Sequence, residues 1–251
     1  MEKQIIQRLR EIEQKGQIKI HFAIESGSRA WGFHSPDSDY DVRFIYSREL
    51  DHYLSLKESA DTLNFPINDD LDLVGWDIKK SLSLLWKSNA SLLGWIYSPM
   101  IYFWDDDFAK ELKQLADSCF SPIAVFHHFH SMSKKYIELC KGTYKLKHLF
   151  YALRTVFSAQ WIIQNGSCPP VNFIELLDGI EVDLEQKRTI LSLIELKAKK
   201  SESFISMHDK LLVDYLLLIF SDNEAQKDSL MSNKGKVKEL EDFFQRTIKK
   251  V

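Results

Sequence analysis

The sequence predicts an α+β fold: a small mixed-sheet core over residues 1–104, then an all-helical domain over residues 105–251. Three observations carry that prediction. Short runs rich in β-branched and aromatic residues, at 18–24, 40–46 and 70–76, are bounded by turn-forming residues, as strands are. From Asp105 onward the apolar residues recur at helical spacing instead. The composition is that of a globular protein, 45% hydrophobic and 27% charged over 251 residues, enough to bury a core in one large domain or two modest ones.

In chain order, Ile5, Ile6, Leu9 and Ile12 give residues 2–15 an apolar stripe, and Gly16 is expected to end that helix. IKIHFAI (18–24) is the first strand and residues 40–46 the second, with Pro36 stiffening the loop between them. SRELDHYLSL carries a short helix and NFPINDD a turn. DLDLVGW (70–76) alternates as a strand, with Asp70, Asp72, Val74 and Trp76 on one face. Asp77 is placed to cap a helix over 78–88, whose core stripe is Ile78, Leu82, Leu85 and Trp86. A short helix ends before Pro99, and 101–104 reads as an edge strand. Ser121-Pro122 opens a helix running to about Lys141. Its His127, His128 and His130 have no carboxylate or cysteine at metal-ligand spacing and read as packing or surface residues. A long helix follows over 144–165, then NGSCPP breaks the chain. Helices are expected at 172–178, 182–200, 203–221 and 235–249, with a polar linker at 221–236.

Charge and cysteines narrow the class. A net charge of −3 gives no global attraction to nucleic acid or to an anionic membrane, so a polyanion would need a local patch. Cys119, Cys140 and Cys168 are odd in number and widely spaced, which fits thiols in a reducing cytosol rather than a disulfide framework or a metal site. MEKQIIQRLR is an amphipathic helix, not a signal peptide. LLVDYLLLIF (211–220) is too short to span a bilayer and contains Asp214. The expectation is a cytoplasmic protein without membrane association.

The chemistry concentrates in SGSRAWGFHSPDSDYDVRFIY (26–46). A strand running into Gly27-Ser28 makes a turn where backbone N–H groups can face an anion, because glycine allows close approach. Ser28 adds a hydroxyl donor and Arg29 a positive charge. Asp39 and Asp41, two apart at the start of a strand, project from one face. Two hard oxygen ligands beside a phosphate cradle suit a magnesium-nucleotide site. Alone, a Gly-Ser turn or an Asp-x-Asp is commonly a solvated turn; a metal-dependent glycosyltransferase would use the second but has no use for the first.

Gly27-Ser28, ten intervening residues, then Asp39-x-Asp41 and an apolar run resembles the signature of the polymerase-β-type nucleotidyltransferases. The fuller string is similar to the branch of bacterial and phage nucleotidyltransferases associated with RNA repair. The likeness continues through GWDIKKSLSLLWKSN (75–89), WIYSP (95–99) and YALR…W (151–161), and so covers roughly 20–170. It implies a nucleotidyltransferase core and a cleft between that core and the helical domain. It implies magnesium, or manganese, on Asp39, Asp41 and a third carboxylate on a neighbouring strand. Asp72, in an Asp-Leu-Val context, matches that third position; Asp70 competes for it. Gly27, Ser28 and Arg29 would hold a nucleoside triphosphate such as ATP, whose nucleotidyl group passes to an acceptor hydroxyl as pyrophosphate leaves. RNA is the acceptor the resemblance favours, with a protein or a small molecule as alternatives. A catalytically silent, antitoxin-like module is the other class, although both signature aspartates are present. On the helix at 144–165, Lys147, Tyr151 and Arg154 either reach the triphosphate or, for Arg154, form a structural ion pair.

Overall fold

A computed structural model describes residues 1–57, 59–65, 70–206 and 209–250. The chain divides into two compact units: residues 1–30, 39–119 and 234–251 form the first, and 31–38 and 120–233 the second. The first unit therefore takes in two helices beyond residue 104, and residues 31–38 of the signature loop pack with the helices of the second.

The first unit is built on a five-stranded mixed sheet. In chain order its strands are β1 (Lys19–Glu25), β2 (Tyr40–Ser47), β3 (Thr62–Asn64), β4 (Leu71–Asp77) and β5 (Ile101–Trp104); their order across the sheet is β3-β4-β2-β1-β5. β2 and β4 run parallel and the other pairs antiparallel. This confirms the α+β class and the edge position of 101–104, and adds β3, a three-residue strand too short to register in the sequence pattern. Helix α1 (Glu2–Gly16) lays Ile5, Leu9 and Ile12 against Val42, Phe44, Tyr46 and Leu73. Its left-handed terminal residue is Gln17, at φ 47°, so Gly16 is the last helical residue rather than the breaker. Alternation sends Ile45 and Arg43 to the opposite face, where α4 (Ile78–Trp86) meets β2 and α6 (Asp106–Cys119) meets β1.

Local signals account for the ends of these helices. Asp77 Oδ1 accepts the Lys79 amide, the expected cap, and Asn89 caps α5 (Ala90–Ile96) through Leu92. Trp86, assigned to the core stripe, is instead 43% exposed; its indole N–H donates to the Gly235 carbonyl at 3.2 Å, which ties α4 to the start of α12 (Val237–Ile248). The short helix in SRELDHYLSL is α3 (Leu50–Leu54), and most of NFPINDD lies outside the described residues.

Among its described residues the second unit's regular elements are helices and one ribbon. It contains α7 (Pro122–Glu138), α8 (Leu146–Asn165), α9 (Phe173–Asp178), α10 (Leu184–Lys197) and α11 (Lys210–Gln226). Residues Tyr144–Lys145 and Ile205–Ser206 pair as a two-stranded ribbon, β6 and β7. That ribbon corrects the purely helical expectation, takes the first two residues from the 144–165 helix, and moves the start of the 203–221 helix to Lys210. Asp209 caps that helix by accepting the Leu212 amide, and the helix continues to Gln226, into the first part of the linker expected at 221–236. The unit's core gathers Leu149, Phe150, Leu153, Val156 and Phe157 of α8 with Phe173, Leu212 and Leu216; Phe33 of the signature loop joins it, tilted against Phe150 and edge-on to Phe173.

Candidate active site

The site of the first unit grows from the parallel pairing of β2 with β4. The register sets Asp41 opposite Asp72, so two carboxylates leave adjacent strands side by side. Asp70 lies just before β4, exposed and left-handed at φ 64°, and contributes its carbonyl to the Tyr40 amide at 2.7 Å. Asp39 is exposed, one residue before β2.

Gly27 stands against Asp41. A Cβ there would lie 1.7 Å from Asp41 Oδ2 and 2.6 Å from its Cγ. Only glycine leaves room for this carboxylate, and the requirement is space rather than backbone conformation. The backbone repeats the contact: the Ser26 amide donates to the Asp41 carbonyl at 2.9 Å. Ser28 and Arg29 follow in the four-residue helix α2 (Ser28–Trp31). The Arg29 guanidinium stacks 3.8 Å from the Tyr40 ring centre, and its Nε donates to the Asp39 carbonyl at 3.3 Å, so the two ends of the signature are tied by one side chain.

Two residues that the sequence did not single out complete the arrangement. Glu25, fully buried at the end of β1, accepts the Asp41 amide on Oε1 at 2.8 Å and the Tyr102 hydroxyl on Oε2 at 2.6 Å. Arg43 bridges the carboxylates: Nη2 donates to Asp41 Oδ1 at 3.0 Å and to Asp72 Oδ2 at 2.7 Å, while Nη1 donates to the carbonyls of Val42 and Asp72. Arg43 follows Asp41 by two, so the same alternation that aligns the carboxylates places it on their face. Glu25 gave no comparable signal, since it ends an apolar run.

The electrostatics follow from this crowding. Burial, chiefly, with the nearby charges of Glu25, Asp72 and Asp39, pushes the Asp41 carboxyl up to about 6, against the opposing pull of Arg43. Asp41 and Asp72 are the oxygen donors brought together, and a hard divalent cation is what such a pair suits. Among the described residues no three His, Cys, Asp or Glu side chains are grouped as they would be round a metal ion. The donor chemistry fits magnesium at Asp41 and Asp72; Arg43 is the cation between them.

The remaining expected site residues belong to the second unit. Lys147 Nζ lies 3.3 Å from Glu202 Oε2. Tyr151 packs edge-on to Trp31 and against Tyr136. Arg154, 8% exposed, donates to the Val171 carbonyl at 2.7 Å and lies over the Trp31 ring at 4.7 Å. Burial lowers its pKa to about 10. Among the described residues Arg154 has no ion pair with an acid: a carbonyl and an aromatic face compensate its charge instead. Polar contacts also hold the signature loop. The buried Lys197 donates to Ser35 Oγ at 2.9 Å, Ser38 Oγ donates to Glu202 Oε1 at 2.8 Å, and the Glu202 amide donates to Asp37 at 2.9 Å.

Residues 1–246 match the model of RlaP, the RNA repair pathway DNA polymerase beta family. The chain belongs to this family. A curated relative, the uncharacterized protein YcgL of Bacillus subtilis (strain 168), is 35% identical over 254 residues, covering all of this chain and 98% of the relative. A solved structure of a nucleotidyltransferase-like protein from Exiguobacterium sibiricum 255-15 is 13% identical, covering 98% of this chain and 80% of the other, with a TM-score of 0.34. Among the described residues no helix is long and apolar enough to cross a membrane. Of the α7 histidines, His130 is stacked between Phe126 and Phe220 and meets Glu224 at 2.8 Å.

Proposed function

We propose that this protein is a magnesium-dependent nucleotidyltransferase of the cytoplasm, moving a nucleoside monophosphate from a nucleoside triphosphate to an acceptor hydroxyl on RNA. The observation that carries this reading is the pairing of Asp41 with Asp72 directly against Gly27. Asp41 and Asp72 would hold magnesium, or manganese, and Asp39, exposed one residue before β2, would join them on binding; bound there, the metal would neutralise charge on the triphosphate and on the attacking and leaving oxygens. Gly27, Ser28 and Arg29 bind the triphosphate. Asp72 takes the acceptor hydroxyl proton on a carboxylate oxygen as the new O–P bond forms at the α-phosphorus and the bond to pyrophosphate breaks. Glu25, itself bonded by Tyr102, accepts the Asp41 amide and so fixes the backbone that carries this carboxylate, as in-line transfer requires of its positioning groups.

A nucleotide-binding module without catalysis is the second reading, favoured by the guanidinium that already links the two carboxylates. Label transfer from α-labelled nucleoside triphosphates separates the two. Incubation with magnesium and with RNA, protein or metabolite fractions should label RNA, and the Asp39→Ala/Asp41→Ala variant should not. Nucleotide binding without label in any fraction would sink the enzymatic reading. Label in the protein or metabolite fraction alone would keep the reaction and reject RNA.

A further inference from the structure

Among the described residues Arg43 is the one cationic side chain bonded to both paired carboxylates. Four hydrogen bonds anchor it, at 2.7–3.1 Å, to Asp41, Asp72 and the carbonyls of Val42 and Asp72. Its side chain is 16% exposed, against 32% for Asp41 and 26% for Asp72. Two carboxylates on adjacent strands repel each other, and a positive charge between them relieves the repulsion. A guanidinium does this with directional bonds, and a divalent cation does it with direct coordination. Asp41 Oδ1 and Asp72 Oδ2 each lie within 3.0 Å of one Arg43 nitrogen, and Asp41 and Asp72 are the residues that would hold a shared metal. One set of lone pairs directed at the same point serves one of these cations at a time.

We infer that Arg43 is a resident counter-ion of the paired aspartates, which holds them together and gives up the position between them to a divalent metal. This rests on the reading of Asp41 and Asp72 as metal ligands. Arg43 is then a positioning residue: it keeps two like charges at coordinating separation before the metal arrives. Its displacement opposes metal binding and so weakens the affinity of the native protein. The freed guanidinium remains on the face of Asp41 and Asp72, where it would pair with a triphosphate bound there, since arginine suits phosphate oxygens.

The test is Mn²⁺ binding to the full chain by titration calorimetry, with thermal unfolding of the chelator-treated protein beside it. Arg43→Gln removes the charge, Arg43→Lys keeps it without the planar fork, and Asp41→Asn and Asp72→Asn are the ligand controls. The expected result is that Arg43→Gln unfolds at a lower temperature without metal, binds Mn²⁺ at least tenfold more tightly than the native protein, and regains its stability at saturating Mn²⁺. Arg43→Lys should fall between. Binding of Mn²⁺ by Arg43→Gln equal to or weaker than native binding would overturn the exchange while leaving the metal site intact, provided the Asn variants lose it. If Arg43→Gln does not fold, Arg43→Lys decides, with at least threefold tighter binding in support and unchanged affinity against. Folded native and Arg43 variants that all fail to bind Mn²⁺ would refute the metal reading and the exchange with it.

Discussion

Replacing Gly27 by Ala tests whether the signature glycine is there for a carboxylate. The new methyl carbon would start 1.7 Å from Asp41 Oδ2, 2.6 Å from Cγ and 2.9 Å from Cβ. A carbon and an oxygen in contact need about 3.5 Å, so one of them must retreat by roughly 1–2 Å. Such a retreat breaks the 3.0 Å bond from Arg43 to Asp41 Oδ1. Overpacking costs about 1–3 kcal/mol and the loss of a charge-assisted bond a similar amount, partly overlapping, so we expect roughly 2–4 kcal/mol of destabilisation. Gly27 has no left-handed φ, so no backbone strain adds to this sum. Urea unfolding of a double-mutant cycle measures it. In the Asp41→Ala background the two closest clashes are gone and only the Cβ contact remains, so the second substitution should cost at least about 1 kcal/mol less than in the native protein. Equal costs in both backgrounds would refute the contact between Gly27 and the Asp41 carboxylate, and with it the placement of the triphosphate beside that residue.

Gly75→Ala should destabilise by about 2 kcal/mol or more, because its Cβ would start 2.2 Å from Phe44 Cε2 in a fully buried ring; Phe44→Leu in the same chain should recover part of the loss in urea unfolding. The His21 share of stability should fall as pH drops from about 6.5 to 4, because His21, desolvated between Ser47 and Phe108, has its pKa lowered to about 4. The unfolded chain then takes up a proton that the folded chain refuses, a loss on the order of 3 kcal/mol by pH 4. Asp41, raised to about 6, works in the opposite direction over the same window, so the measurement is the difference between the native and His21→Gln pH profiles of unfolding, which should show this decline. If Asp41 is a metal ligand, Mn²⁺ affinity should decline as pH falls below about 6, where burial and its acidic neighbours begin to favour the protonated carboxyl. Titration calorimetry at pH 5 and 7.5 checks this, and equal affinity would remove Asp41 from the ligand set.

The element pattern was legible because local chemistry dictates it. Asp77 and Asn89 are capping residues that stop where a cap must, and β-branched runs of seven or eight residues have no other economical conformation. The Gly-Ser and Asp-x-Asp spacing was legible for the same reason: each half is a short-range feature. Misreadings arose where long-range contacts override periodicity. Trp86 has helical spacing for the core, yet a hydrogen bond to Gly235, 149 residues away in sequence, draws it to the surface. The ribbon of residues 144–145 and 205–206 depends on two strands 60 residues apart, each too short to show a period.

The site divides along the same line. Which residues carry carboxylates and the alternation that aligns Asp41 with Arg43 are properties of the chain alone. Asp70 and Asp72 are two residues apart, so alternation alone cannot separate them; the choice of Asp72 as the residue facing Asp41 depends on the β2/β4 register, which pairs Asp41 with Asp72, and on the start of β4 at Leu71. So does the identity of the partners. Glu25 receives the Asp41 amide because β1 ends beside β2, and Arg154 meets a carbonyl and an indole rather than an acid because α8 packs against residues 31 and 171. A side chain's chemistry is local to its residue, but the groups that compensate its charge arrive from distant parts of the chain, and only folding brings them together.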